Sequence, residues 1–247
     1  MECSFTLKHY EEILKSALEA GYMPKGFHEE VSAHERWILY LRHDLDICLE
    51  EAIPMAEVEA KLGMQATYFV LTNSPLYNLL SSDALATIKE IQSMGHWVGL
   101  HIDTALLPAF NGSIEDLVER LYSLYAKPLS LVRAVSFHRP NPTVLGKVFN
   151  VCVSTYEPRF FSQIKYVSDS RGTWREGCPC QMLSKNVHPR VQMLVHPIWW
   201  DITASDRLED RLQRLLATRS RQCEKYLADN IEPIADLLGK GGLDELK

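Results

Sequence analysis

Short apolar runs alternate along the chain with longer segments in which apolar residues recur every three or four positions. The short runs are four to six residues long and predict buried strands over 37–41, 66–71, 97–100, 134–137 and 192–195. The longer segments predict helices over 6–20, 49–62, 82–95, from a Ser113–Asp116 capping box onward, and over 205–229. Within 143–190 only 164–167 predicts a strand. Strands that alternate with helices in this way indicate a parallel sheet covered by helices.

Acidic and imidazole side chains follow directly where four of these strands end. They are Asp44, Asp46, His101, His138 and His196. Because the carboxyl ends of parallel strands meet at one mouth of a closed barrel, we expect these side chains to converge there. The 247 residues contain no internal repeat or linker. We therefore predict a single domain over 1–247, with a core at about 37–200 and a helical extension over 204–247.

Composition narrows the class of partner. Apolar residues make up 46% and charged residues 23%, the balance of a soluble globular protein. A net charge of −6 and a pI near 5.9 argue against nucleic acid. With neither a signal peptide nor a long apolar run, we expect no membrane span and a cytoplasmic location. The oligomeric state stays open.

The six cysteines include one close pair, Cys178 and Cys180. A lone Cys-x-Cys lacks the second half of a zinc knuckle, so its role also stays open.

Five segments, in order along the chain, resemble motifs of the polysaccharide deacetylase family, of the carbohydrate esterase type. Arg-His-Asp-Leu-Asp at 42–46 is similar to that family's opening acidic motif, and Ala-Thr-Tyr-Phe at 66–69 to the strand that follows it. Gly-His-Trp-Val-Gly-Leu-His at 95–101 resembles its metal-binding strand. His-Arg-Pro at 138–140 and Leu-Val-His-Pro at 194–197 resemble its Arg-Pro and closing His motifs. The shared order, spacing and strand-end placement carry the resemblance.

The resemblance implies an α/β fold, a distorted (β/α)7-type barrel, and a divalent metal, zinc above others. Carried over by position, Asp44 would be the general base, while Asp46 and His101 would be metal ligands. Arg139 would orient the base carboxylate and His196 would protonate the leaving group. The implied reaction removes an N- or O-linked acetyl group from a saccharide, because a bound ion activates water and polarises the acetyl carbonyl. The partner would be a small-molecule or oligosaccharide substrate.

Two departures from the family pattern affect the metal site. The acidic pair is usually adjacent, whereas here Leu45 separates the two aspartates; strand alternation would still place both on one face. The family's second metal His lies four residues after the first, and here that position is Ala105. We predict that His138, at the end of the next strand, takes its place. Asp103 is a poorer substitute, because the chain is leaving the strand there.

Further candidates lie in the segment 166–174, where the family carries an Asp/Trp element, and just after the closing His motif. Asp169 and Arg171 could bind substrate hydroxyls or form a surface ion pair. Trp199 and Trp200 could be sugar-stacking platforms at the rim or core residues.

Three hypotheses remain after the sequence is read. The leading one is the metal-dependent carbohydrate deacetylase, acting inside the cell on a nucleotide-linked or lipid-linked sugar. The second is a catalytically impaired saccharide-binding barrel, which the missing His at 105 keeps open. The third is a related hydrolase of small non-sugar amides.

Overall fold

The structure, a computed structural model, describes residues 3–200 and 207–231. The chain divides into two compact units, Met1–Ala204 and Ser205–Lys247, which are described separately. In the second unit a helix, α6, spans Leu208–Asn230. This helix confirms most of the one predicted over 205–229, whose first two residues lie outside the described part of the chain. Most of the predicted extension beyond Asn230 also lies outside the described part. The prediction of a single domain over the whole chain stays a prediction. No described helix is long and apolar enough to cross a membrane.

The first unit contains five α-helices within its described residues. Their bounds are α1 Leu7–Glu19, α2 Ile53–Lys61, α3 Ser82–Ser93, α4 Ile114–Tyr125 and α5 Pro179–Ser184. The predicted capping box is present at the start of α4, where Ser113 and Asp116 bond reciprocally. The four helices predicted in this unit are confirmed to within a few residues, and α5 lies in the segment that the pattern left unassigned.

Within the described part of the chain, eight strands, all parallel, form the sheet. They are β1 Met23–Pro24, β2 Ile38–Leu45, β3 Thr67–Leu71, β4 Trp97–Asp103, β5 Ala134–His138, β6 Val153–Ser154, β7 Lys165–Ser168 and β8 Arg190–Val195. The strands pair in the order β6-β5-β4-β3-β2-β8-β7, and β1 adds to the start of β2. This confirms the α/β class and a distorted barrel. The pairing of the described residues leaves β6 and β7 at the two ends of the path, so the sheet is a half-barrel rather than a closed one.

Successive side chains of β2 point alternately into two different apolar clusters. Leu39 and Leu41 face the main core under the helices, whereas Ile38 and Tyr40 belong to a second apolar cluster. That second cluster also contains Phe27, Phe69, Ala134 and Phe160 and fills the interior of the half-barrel below its mouth. Since side chains alternate along a strand, Arg42 and Asp44 continue the interior face towards the mouth. The strand ends at Leu45, one residue before Asp46, yet both carboxylates lie on one side, because both are within 3.6 Å of His101 Nε2.

A buried polar cluster joins α2 to the other face of the sheet. The carboxylate of Glu59 is fully buried and accepts hydrogen bonds from Tyr68 (2.7 Å) and Tyr10, and it pairs with His43 Nε2 at 2.6 Å. The ring of His43 stacks on Tyr68, with centroids 4.3 Å apart. His43 therefore points away from the mouth. The cluster holds a charge in the core by surrounding it with donors.

Replacing Glu59 with Gln should reduce the free energy of unfolding at neutral pH by about 1.5–3 kcal/mol, because charge-assisted bonds to buried donors are lost. Glu57→Gln is the matched control: Glu57 lies on the same helix and forms an exposed pair with Lys61, so its loss should cost less than about 1 kcal/mol. Urea unfolding of the three proteins measures both effects. Equal stabilities for the two variants would contradict a supporting role for the cluster.

The same cluster predicts an acid-dependent loss of stability. Burial alone would raise the pKa of Glu59, but His43, His96 and the Tyr10 hydroxyl hold it below its ordinary value. A lowered folded pKa contributes stability that is present above the unfolded value of about 4.3 and lost as the pH falls through the folded one. Glu59→Gln should therefore lose less stability than the natural protein over that acidic interval.

Candidate metal centre

Three side chains from strands β2, β4 and β5 meet at the mouth of the half-barrel. Asp46 follows the end of β2, His101 lies in β4 and His138 ends β5. Asp46 Oδ1 is 3.0 Å from His101 Nε2 and 3.2 Å from His138 Nδ1. One ligand atom from each residue lies within 4.8 Å of the other two. The predicted convergence of these three residues is therefore present.

The polar atoms of this cluster are arranged to bind a cation rather than to form hydrogen bonds with one another. Asp46 Oδ1 is buried, yet neither imidazole contact is aligned as a hydrogen bond, and the oxygen has no hydrogen-bond partner. Burial alone would raise the pKa of Asp46, but the two imidazoles hold it well below its ordinary range. Contact with Asp46 in turn raises the pKa of His138. A carboxylate oxygen and two imidazole nitrogens are a donor set that zinc accepts, with a coordination position left open.

A hydrogen-bond chain fixes the orientation of His101. Its Nδ1 bonds with Ser136 Oγ at 2.5 Å, and that hydroxyl donates to Asp44 Oδ1 at 3.3 Å. With Nδ1 as the donor, Nε2 presents its lone pair towards Asp46. Such outer partners select the tautomer of a metal-binding histidine. Gly99 makes room nearby, because a Cβ at that position would come within 2.7 Å of the Phe69 ring and of the Ala134 carbonyl oxygen.

Asp44 is held by an arginine of its own strand. Arg42 is fully buried and donates from Nε to Oδ1 (2.8 Å) and from Nη2 to Oδ2 (2.7 Å). Nη1 donates to Gln192 Oε1 and Nη2 also donates to the Tyr156 hydroxyl, both at 3.1 Å. Burial alone would raise the pKa of Asp44, but the charge of Arg42 holds it below its ordinary value. Asp44 is thus ionised at neutral pH, with Oδ2 at 3.6 Å from His101 Nε2.

In the structure Arg42, rather than the predicted Arg139, contacts the base carboxylate of Asp44. Arg139 follows β5 with a left-handed backbone (φ 50°), and its exposed side chain lines the cavity without a described contact to Asp44. The physical reason is proximity along one strand face: Arg42 lies two residues before Asp44, so alternation places both guanidinium and carboxylate inside the half-barrel.

His196 lies across the mouth and is positioned by Asp169. The Asp169 carboxylate accepts from His196 Nδ1 at 2.6 Å, from the His196 backbone N–H and from Trp200 Nε1 at 2.9 Å. His196 Nε2 is thereby turned towards the mouth, 3.9 Å from Asp46 Oδ2. Burial alone would lower the pKa of His196, but the bond and charge of Asp169 raise it.

Two predicted substrate-binding residues are therefore corrected. Asp169 is 0% exposed and Trp200 is 1% exposed, so neither can touch a sugar or form a surface ion pair. Both are buried because together they hold the His196 ring. Trp199 is not among the described residues that line the cavity; its ring packs against Gly172. Arg171 does line the cavity, in a left-handed turn with φ 65°.

The mouth opens into a cavity of about 660 Å³. That volume lies in the range of small-molecule sites. The floor carries the residues described above, and the sides are formed by aromatic and basic side chains, among them Tyr156, Tyr166, Trp174, Arg171 and Arg175. Sequence reasoning missed Arg42, Ser136 and Tyr156. Period-two alternation in β2 could have indicated Arg42, whereas Ser136 and Tyr156 carry no signal of their own.

The sheet and the site together define the class of protein: a parallel α/β half-barrel with an Asp-His-His cluster at the carboxyl ends of its strands. No protein-family model and no curated protein matches the chain. Among solved structures, it is similar to a CE4 family pseudoenzyme from Bacillus anthracis, at 15% identity over 74% of this chain and 60% of that one, with a TM-score of 0.39. A mutant of such a pseudoenzyme, described as having restored enzymatic activity, matches at 15% identity over 74% and 62%, with a TM-score of 0.39.

The chain is also similar to the catalytic domain of a peptidoglycan N-acetylglucosamine deacetylase from Eubacterium rectale. That match has 15% identity, covers 78% of this chain and 89% of that one, and has a TM-score of 0.41. The chain spans less than two thirds of the pseudoenzyme chains it matches. At these identities and TM-scores the likenesses do not establish an activity, and the fold assignment rests on the sheet itself.

Proposed function

We propose that the protein is a metal-dependent hydrolase that removes an acetyl group from a saccharide. One observation carries the proposal: the buried Asp46 Oδ1 has no hydrogen-bond partner, yet His101 Nε2 and His138 Nδ1 both lie within 3.2 Å of it. Buried polar atoms are normally satisfied, and a bound cation would satisfy this carboxylate oxygen together with the two imidazoles that face it. Asp44 and His196 stand beside that position with free acceptor and donor capacity.

The three residues of the cluster would hold a divalent ion, with zinc as the metal that fits two imidazoles and a carboxylate. When bound, the ion supplies Lewis acidity, which acidifies water and polarises an acyl oxygen. His138 would replace the second histidine that the family carries at position 105. Ala105 lies beyond the strand, where its backbone N–H donates to Asp103. Asp103 is thus engaged in a turn, which supports His138 as the third ligand.

Two protein groups beside the proposed ion site would each carry out one proton transfer. Asp44 is an ionised carboxylate fixed by Arg42, and we assign to it the acceptance of a proton from the attacking water. His196 is held through Nδ1 by Asp169, so its Nε2 is the atom placed to protonate the leaving nitrogen or oxygen. Two groups with opposite tasks on either side of one centre make an acid–base pair.

The cavity also suggests the character of the substrate. Arg139, Arg171 and Arg175 all line it, while the acidic Glu176 on the same side contacts Lys165. A basic rim above an acidic floor suits a saccharide that carries phosphate or carboxylate groups. A nucleotide-linked or lipid-linked sugar has that chemistry, and Tyr166 and Trp174 offer flat faces for its rings.

Acetate release from N-acetylated sugars and sugar nucleotides tests the proposal. The zinc-loaded protein should release acetate, lose that activity on chelation and regain it when zinc is returned. Binding of the same sugars without acetate release, in protein shown to contain the ion at Asp46, would contradict the proposal. That result would favour the saccharide-binding barrel, which the replacement of the family histidine by Ala105 keeps in view. Release of ammonia or amine from small amides alone would favour the non-sugar hydrolase.

A further inference from the structure

A second cluster of metal-binding side chains lies away from the mouth of the half-barrel. Cys3, His9 and Cys178 each place a ligand atom within 4.8 Å of the other two. His9 Nε2 is 3.1 Å from Cys178 Sγ. Cys180 follows Cys178 by two residues, at the start of α5. The close cysteine pair of the sequence thus has two more donors beside it, brought from the far end of the chain.

The donor atoms of this cluster are close enough for one ion to bind them. A zinc ion with Zn–S bonds of about 2.3 Å and Zn–N bonds of about 2.0–2.1 Å has its donor atoms within about 4 Å of one another. The three ligand atoms of Cys3, His9 and Cys178 lie within 4.8 Å of one another, and two of them are 3.1 Å apart. Cys180, two residues after Cys178, offers a third thiol, so this part of the chain can supply the Cys3His set of closed structural zinc sites, in contrast to the open Asp-His-His set at the mouth.

The histidine of the cluster also has an outer partner. His9 Nδ1 lies 3.0 Å from the Glu12 carboxylate, one helical turn further along α1. A metal-ligating histidine characteristically donates its second ring N–H to a carboxylate or carbonyl, which fixes the ring and makes the other nitrogen a better ligand. Glu12 is therefore an independent indication that Nε2, the atom facing Cys178, is the ligating one.

We propose that Cys3, His9 and Cys178 hold a structural zinc ion, with Cys180 as the fourth ligand supplied from α5, and that this site fastens the amino-terminal segment and α1 to the side of the cavity. The residues just before Cys178, from Trp174 to Gly177, line that cavity. Phe5, between the two proposed amino-terminal ligands, stacks on Trp174 with an interplanar angle of 9°. The site would hold this side of the cavity in place in the way that a disulfide would, by cross-linking segments distant in sequence.

Metal content and metal coordination test the proposal without reference to enzymatic activity. The purified full-length protein should contain zinc with sulfur ligands at about 2.3 Å in X-ray absorption, and its cobalt form should show thiolate charge-transfer bands. Cys178→Ser and His9→Gln should each lose one equivalent of zinc per chain, together with the thiolate signal. Cys223→Ser is the control, because Cys223 is an exposed cysteine on α6, and it should keep both.

The two metal sites are distinguishable in this experiment. His101→Ala should remove the ion at the mouth and leave the sulfur-bound zinc in place, whatever the outcome for deacetylation. Absence of sulfur ligands in the zinc-supplemented natural protein would overturn the proposal even if a variant failed to fold. So would a disulfide among Cys3, Cys178 and Cys180, found by mass spectrometry of the protein purified without reductant.

Discussion

Replacing Asp46 with asparagine should reduce metal affinity at the mouth by more than about 100-fold, with acetate release falling in parallel. Loss of an outer partner already costs about 10- to 100-fold in affinity, and Asp46 is the anionic donor between two imidazoles. Asparagine keeps the size of the side chain, so the change removes charge rather than volume. Zinc titration followed by calorimetry, with acetate release assayed at each point, measures both effects.

Asp103→Asn is the matched control for this change. Asp103 ends strand β4, which also carries His101. Its side chain accepts a hydrogen bond from the Ala105 backbone N–H, and an asparagine side chain can accept the same bond. The control should keep natural affinity and activity. The proposed thiolate site would retain its own zinc in both variants, so affinity is followed at the weaker, sulfur-free site. An Asp46→Asn protein with unchanged affinity would remove the basis of the hydrolase proposal.

Replacing Arg42 with methionine should lower the free energy of unfolding by about 3–5 kcal/mol at neutral pH, because it leaves the buried carboxylate of Asp44 without its partner. The sign of the pH dependence follows from the pKa of Asp44. With Arg42 the lowered pKa keeps Asp44 ionised and stabilising above its unfolded value. Without Arg42, burial raises that pKa, so the difference between variant and natural protein should shrink as the pH falls and Asp44 becomes neutral.

Two further variants separate this pair from its surroundings. The double variant Arg42→Met with Asp44→Asn should recover part of the lost stability, since it removes both charges together. Arg139→Met should change stability by no more than about 0.5 kcal/mol, because that side chain is exposed. Urea unfolding at several pH values provides the data. A larger effect at Arg139 than at Arg42 would restore the assignment that the sequence favoured.

The assignment of Arg139 shows where sequence reasoning reached its limit. A motif locates a residue along the chain, and the His-Arg-Pro segment does lie at the mouth. Which guanidinium meets Asp44 depends on the direction of each side chain: Arg139 leaves β5 in a left-handed turn, whereas Arg42 shares a strand face with its partner. Asp169 and Trp200 were misassigned for a related reason, since nothing in their spacing indicates that both turn inward to hold His196.

The sequence by itself determined the order of the longer strands and helices and the placing of Asp44, Asp46, His101, His138 and His196 at strand ends, because periodicity and strand termini are local properties of the chain. The short elements β1, β6 and α5 carried no such pattern. Tertiary structure alone decided which atoms meet. It opened the barrel between β6 and β7, gave Asp44 its arginine and His196 its aspartate, and brought Cys3 and His9 to Cys178. These contacts join residues whose separation along the chain carries no signal, so they follow from packing and strand register rather than from pattern.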